Sequence, residues 1–191
     1  YSDAEIDRLL VAAQALPPAD GLRRWTYHHL FGLLAVTGLR LSEAINLQCD
    51  NVDLEEGVLT VRETKFGKSR LVPLHATTRA ALHSYAVRRE AHLGSHCGPH
   101  FFVAERGGRL LHQYVHRVFW RLSREIGLRG PGDHSGPRVH DLRHRFAVRT
   151  LLTWHREGMD VERLLPVLST YLGHTCVRDT YWYLSACPDL M

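Results

Sequence analysis

A strand–turn–strand pattern at residues 57–74 interrupts a chain whose other apolar residues recur mostly at helical spacing. GVLTVRE and SRLVPLH read as two short strands joined at Lys65-Phe66-Gly67-Lys68. Before them, Ile6, Leu9, Leu10 and Ala13 mark a helix over 3–15 that Pro17-Pro18 ends. Residues 22–36 read as a buried helix with Leu30, Phe31, Leu33, Leu34 and Val36 inside, broken at Thr37-Gly38. A short helix runs from Ser42, its expected N-cap, to Leu47. Helices follow over Ala76–His92, Leu111–Ile126, His140–Trp154 and Asp160–Tyr171, the last capped by Leu172-Gly173. Val115, Val118, Phe119, Leu122 and Ile126 fall on one side of the second of these, and FFVA at 101–104 reads as a short extended piece. A final helical piece carries Tyr181 to Tyr183, and GLRGPGDHSGP is a loop. With no repeat, low-complexity tract or linker, the expected fold is one domain over 1–191, mainly α with a small antiparallel sheet or hairpin.

The 191 residues suffice for one good-sized domain. No apolar run approaches the ~18 residues of a membrane span, and YSDAEIDRLL has neither the basic start nor the apolar core of a signal peptide. It lacks an initiator Met and enters a helix at once, so we expect a piece of a longer chain. Cys49, Cys97, Cys176 and Cys187 form no C-x-x-C pair and read as reduced thiols of a cytoplasmic protein. His96, Cys97 and His100 make the densest metal-like cluster, but it lies in a Gly/Pro loop without a second ligand pair, and no metal is expected. Charge is more telling. From Arg106 to Arg149 ten Arg face three acids, in a chain whose net charge is only +4. Arg outnumbers Lys 22 to 2, and the planar fork of Arg suits phosphate. A basic face for a polyanion and an ordinary solvated surface both fit.

Four stretches carry candidate chemistry. In TGLRLSEAINL, Arg40 sits between a Gly break and a helix start, where free N–H groups favour an anion; taken alone, the stretch reads more simply as a surface Arg paired with Glu43. In ETKFGKSRLVPL, Lys65 opens the turn as a mobile point charge or proton donor, or as ordinary turn chemistry. In HDLRHRFAV, His140 and Arg143 share a helix face, a proton acceptor beside a phosphate clamp or simply a basic face. His144 lies at i+4 from His140, and Arg145 points elsewhere. In LGHTCVRDTYWYL, His174 follows a helix end and Tyr183 lies nine residues on. A tyrosine needs neighbouring cations to act as a nucleophile, and aromatic packing is the alternative for Tyr181, Trp182 and Tyr183.

The ordered series TGLRLSE, K-x-G-K-x-R-x-V-P-L, H-x-L-R-H and LGH with a Tyr nine residues later resembles the tyrosine recombinase (phage integrase) family, over nearly the whole chain. The resemblance implies a site-specific DNA recombinase or integrase that breaks and rejoins strands through a 3′-phosphotyrosyl link, without metal, ATP or other cofactor. The tail TYWYLSACPDL resembles integrases of mobile elements. Carried over residue by residue, Arg40 and Arg143 are the two phosphate clamps, and Lys65, set by the run Arg70 to Leu74, is the general acid. His140 is the proton acceptor or its supporter, His174 a hydrogen-bond donor to the phosphate, Tyr183 the nucleophile and Glu43 an orienting acid. Tyr181 is the runner-up nucleophile, and Tyr171 lies inside the preceding helix.

The same resemblance implies double-stranded DNA as partner and no membrane. It implies a homo-tetramer on DNA for the full-length protein and a monomer for the isolated piece. It also implies an N-terminal DNA-binding domain ahead of this one. Two other classes stay open, a type IB-like topoisomerase and a non-catalytic DNA-binding module. A His/Cys metalloenzyme is a more distant third.

Overall fold

The computed structural model describes residues 1–62, 69–130, 132–133 and 135–185. Its helices are α1 (Asp3–Gln14), α2 (Arg23–Thr37), α3 (Leu41–Ile45), α4 (Ala76–Leu93), α5 (His112–Glu125), α6 (Asp141–Arg156), α7 (Val161–Leu172) and α8 (Arg178–Ser185). The strands β1 (Val52–Asp53), β2 (Val58–Val61) and β3 (Arg70–Pro73) stand in that order in one antiparallel sheet. The expected pair is therefore present, with Leu59 opposite Val72 and both side chains buried. The two-residue β1 is added to it, too short to show any alternation. The Lys65–Lys68 turn lies outside the described residues.

Helix α2 is the central element, packed by α1, α4 and α6. Tyr27, Leu30, Phe31 and Leu34 are buried along it. Val36, expected inside, is instead 52% exposed, because the last turn of α2 has an uncovered side. Helix α1 begins with a capping box: Glu5 N–H donates to Ser2 Oγ and Ser2 N–H to the Glu5 carboxylate. Phe101, Phe102 and Val103 form no named strand; Phe101 N–H donates to Leu47 O, and all three side chains enter the core beside Tyr85. No helix among the described residues is long and apolar enough to cross a membrane.

The core has two parts. The larger runs from α1 through α5 and takes in Val139 and Leu142. The smaller holds Ala147 and Leu151 of α6, Leu165, Leu168 and Leu172 of α7, and Tyr183 of α8. Helix α6 belongs to both, so the residue after Leu142 sits where the two parts meet. That residue is Arg143.

Candidate active site

Arg40 precedes α3 with an extended backbone (φ −69°, ψ 147°). It is the N-cap, correcting the expectation of Ser42, because the Glu43 carboxylate accepts the Arg40 N–H at 2.8 Å and starts the helix at Leu41. The same carboxylate accepts Arg40 Nη1 at 2.9 Å. It also takes a two-pronged contact from Arg70, at 2.9 and 2.8 Å. Burial would raise the Glu43 pKa, but the hydrogen bonds and charge of Arg70, then those of Arg40, outweigh it and hold the carboxyl below its ordinary range. Arg40 Nη2 donates to Gly173 O at 3.0 Å, and Arg70 Nε to Tyr171 O at 2.8 Å. The turn closing α7 is thus held by both arginines.

Arg143, 2% exposed, crosses from one part of the core to the other. Its Nη1 donates to Gly38 O and its Nη2 to Leu172 O, each at 2.7 Å. Burial, and then the charge of Arg40, lower its pKa to about 10; Tyr183 and Glu43 act in the opposite direction, and the group stays charged at neutral pH. Gly38 ends α2 at φ 63°, and a Cβ there would lie 2.5 Å from Phe146 Cδ1, so the α2–α3 turn fits against α6 only as glycine.

Histidine 174 follows Gly173, and its Nδ1 shares a 2.8 Å hydrogen bond with the buried Thr180 hydroxyl. Burial first, then Arg143 and Arg40, push its pKa down to about 4, so it is neutral. Tyr183, one helical turn past Thr180, is 3% exposed and stacks on His174 with 6.1 Å between centroids. The His144 ring meets Tyr183 edge-on at 5.4 Å, Trp182 at 5.0 Å and His140 at 4.8 Å. His140 stands at the solvent edge with its pKa lowered, by burial and then by His144 and Arg143.

The structure therefore brings Arg40, Glu43, Arg143, His174 and Tyr183 together, with His140 at the rim through His144. Lys65 lies outside the described residues. Tyr181 is 50% exposed, and Tyr171 stacks on Phe146. Arg145 turns away to Tyr1 O and Asp3. Reading the sequence missed three participants. In the sequence Arg70 serves only to place Lys65, Thr180 carries no signal, and His144 has no role beyond its spacing from His140. A cleft of about 840 Å³ opens beside Arg40, lined also by Glu43, Asn46, Gln48, Arg62 and Arg109. Both Glu43 oxygens are taken by arginines, and among the described residues no group of three or more His, Cys, Asp or Glu could hold a metal ion. What the cluster offers is guanidinium charge, a neutral imidazole and a phenol, a set matched to a phosphate.

Relatives share this frame. The chain is 53% identical, over its whole length, to the putative integrase/recombinase y4rB of Sinorhizobium fredii (strain NBRC 101917 / NGR234), spanning 62% of that protein. It is 33% identical to tyrosine recombinase XerD of Mycobacterium leprae (strain TN), over 94% of this chain and 54% of that protein. The crystal structure of XerA recombinase superposes with a TM-score of 0.73 at 28% identity, over 96% of this chain and 59% of that one. XerH in its post-cleavage complex on difH substrate shares the fold with a TM-score of 0.74 at 23% identity, over 99% of this chain and 50% of that one. Residues 2–188, all four motif stretches included, match the phage integrase family, and the chain belongs to it.

Proposed function

We propose that this chain is the catalytic part of a site-specific DNA recombinase that cuts and rejoins strands through a 3′-phosphotyrosyl intermediate. The observation that carries the reading is the meeting of Arg40, Arg143, His174 and Tyr183, from three separated stretches of sequence, around one turn. Double-stranded DNA is the partner. XerH and the lambda integrase were both seen on DNA, the latter also as a tetramer on a Holliday junction, and four copies on two duplexes is the assembly we propose here. Names such as integrase/recombinase among the relatives support a mobile-element setting.

In the proposed reaction the Tyr183 hydroxyl oxygen attacks phosphorus in line, and its proton passes to neutral His140 or to a group that His140 supports. The P–O5′ bond breaks, and the leaving oxygen takes a proton from the general acid, assigned to Lys65. Arg40, Arg143 and the Nε2–H of His174 hold the non-bridging oxygens. With Nδ1 accepting from Thr180, Nε2 keeps the proton it donates. A 5′-hydroxyl of another strand then reverses the steps. Phosphoester energy is conserved, so the scheme uses neither ATP nor metal; positioning and guanidinium charge supply the catalysis.

A nicked duplex carrying the crossover site tests this. The expected result is an SDS-stable protein–DNA adduct without added metal that is lost in Tyr183→Phe. An adduct that survives in Tyr183→Phe and disappears in Tyr181→Phe would move the nucleophile, and none from any variant would refute the chemistry.

A further inference from the structure

Arg70 has no part in the scheme above, yet it is hydrogen-bonded in the site as fully as Arg40, with three bonds each. It opens β3, and its guanidinium leaves the sheet to reach α3 and the end of α7. Its side chain is 11% exposed and that of Glu43 is 6% exposed. Nε and both Nη atoms each donate to a protein acceptor, and the side chain is more covered than that of Arg40, which is 31% exposed, so Arg70 stands behind the clamp rather than on its open side. We propose that Arg70 is a positioning residue: it shares the Glu43 carboxylate with Arg40 and ties both to the turn that presents His174. The proposal rests on the reaction assigned to this site.

The electrostatics give the reason. One carboxylate between two guanidiniums leaves the group one positive charge in excess, available to a phosphate held by Arg40. Without Arg70, Glu43 would be hydrogen-bonded by Arg40 alone, one charge against one, and the Arg40 clamp would be neutralised from behind. Gly173 belongs to the same device, since a Cβ there would lie 2.8 Å from Arg70 Nη1.

Arg70→Gln, Arg70→Lys and the double variant Arg70→Gln/Glu43→Gln are to be compared with the unsubstituted protein in single-turnover cleavage of the nicked duplex, with DNA affinity and melting temperature measured alongside. Arg70→Gln should lower cleavage by about 10²-fold, as loss of one transition-state donor does, with DNA affinity kept. Arg70→Lys, which keeps the charge without the fork, should fall in between. The double variant should recover about tenfold over Arg70→Gln, because removing the carboxylate charge releases Arg40; a purely structural role predicts no recovery. Unchanged cleavage in Arg70→Gln, or cleavage and affinity falling together without recovery in the double variant, would overturn the proposal. If Arg70→Gln does not fold, Arg70→Lys decides: slower cleavage at kept affinity supports the role, and an unchanged rate removes it. An unsubstituted protein that forms no Tyr183-dependent adduct would overturn the reading of the site itself, a result distinct from any of these.

Discussion

Gly173 and Gly158 allow the Arg70 contact to be weighed separately from backbone strain. Both are left-handed residues following helices, at φ 68° and 70°. Alanine at either pays the left-handed penalty of about 1–2 kcal/mol, offset by about 0.4–1 kcal/mol from a less flexible unfolded chain. A Cβ on Gly158 meets nothing within 4 Å, whereas on Gly173 it lies 2.8 Å from Arg70 Nη1 and 3.1 Å from Cζ. A free arginine would swing aside at little cost. This one is fixed at Tyr171 O and at both Glu43 oxygens, so it must release at least one charge-assisted hydrogen bond, worth about 1.5–3 kcal/mol. With about 2–4 °C per kcal/mol for a chain of this size, Gly173→Ala should melt roughly 3–12 °C below Gly158→Ala. Thermal unfolding followed by circular dichroism reads the difference. Equal melting temperatures would show that the Arg70 fork yields freely, and would remove the premise that it is a rigid part of the site.

Thr180→Val keeps the shape of a buried side chain but leaves His174 Nδ1 without its partner; at about 1–2 kcal/mol for such a loss, cleavage should fall by about five- to thirtyfold with Tyr183 still reactive, and an unchanged single-turnover rate would show that the hydroxyl does not orient the imidazole. Arg40→Ala should lower cleavage by at least about 10²-fold, and a rate equal to that of the unsubstituted protein would end its assignment as a clamp. Stability should also fall with acid. Burial is the largest cause lowering both His29 and His174 to about 4, against an unfolded value of 6.5. The unfolded chain therefore binds more protons across that window, and stability drops as pH falls from about 6.5 to 4. A denaturation midpoint that stays level over that range would contradict the burial of these imidazoles.

Much of the architecture was legible because helical periodicity and breakers act locally. The run from Val115 to Leu122 and the Gly173 cap needed no tertiary information. What escaped depended on distance in sequence. β1 exists only because β2 lies beside it, pairing Val52 with Leu59. Val36 fits the pattern of a buried helix yet faces outward, since periodicity gives a side of a helix and not what covers it. Arg40, Glu43 and the H-x-x-R pair were visible as local patterns, but the partners that fix them were not. Arg143 is held by carbonyls 105 and 29 residues away, and Glu43 by an arginine 27 residues on. Thr180 is one of eleven threonines until the fold sets it against His174.

Charge explains why these particular groups are kept together. Among the described residues, Arg40, Arg70 and Arg143 surround the single negative charge of Glu43, leaving two positive charges to which the Lys65 assigned as general acid would add, and His140 and His174 are lowered in pKa and add none before the attack. On the proposed reaction a phosphodiester enters with one negative charge and approaches two as the tyrosine oxygen adds. The excess therefore matches the attacked state better than the substrate, which is the differential binding that lowers a barrier. Glu43 moderates the cluster. Without it three guanidiniums would repel one another in a largely buried space, with Arg143 the most exposed to that cost because it is the deepest. The carboxylate sets the residual charge, Arg70 fixes the carboxylate, and the glycine at 173 leaves room for Arg70.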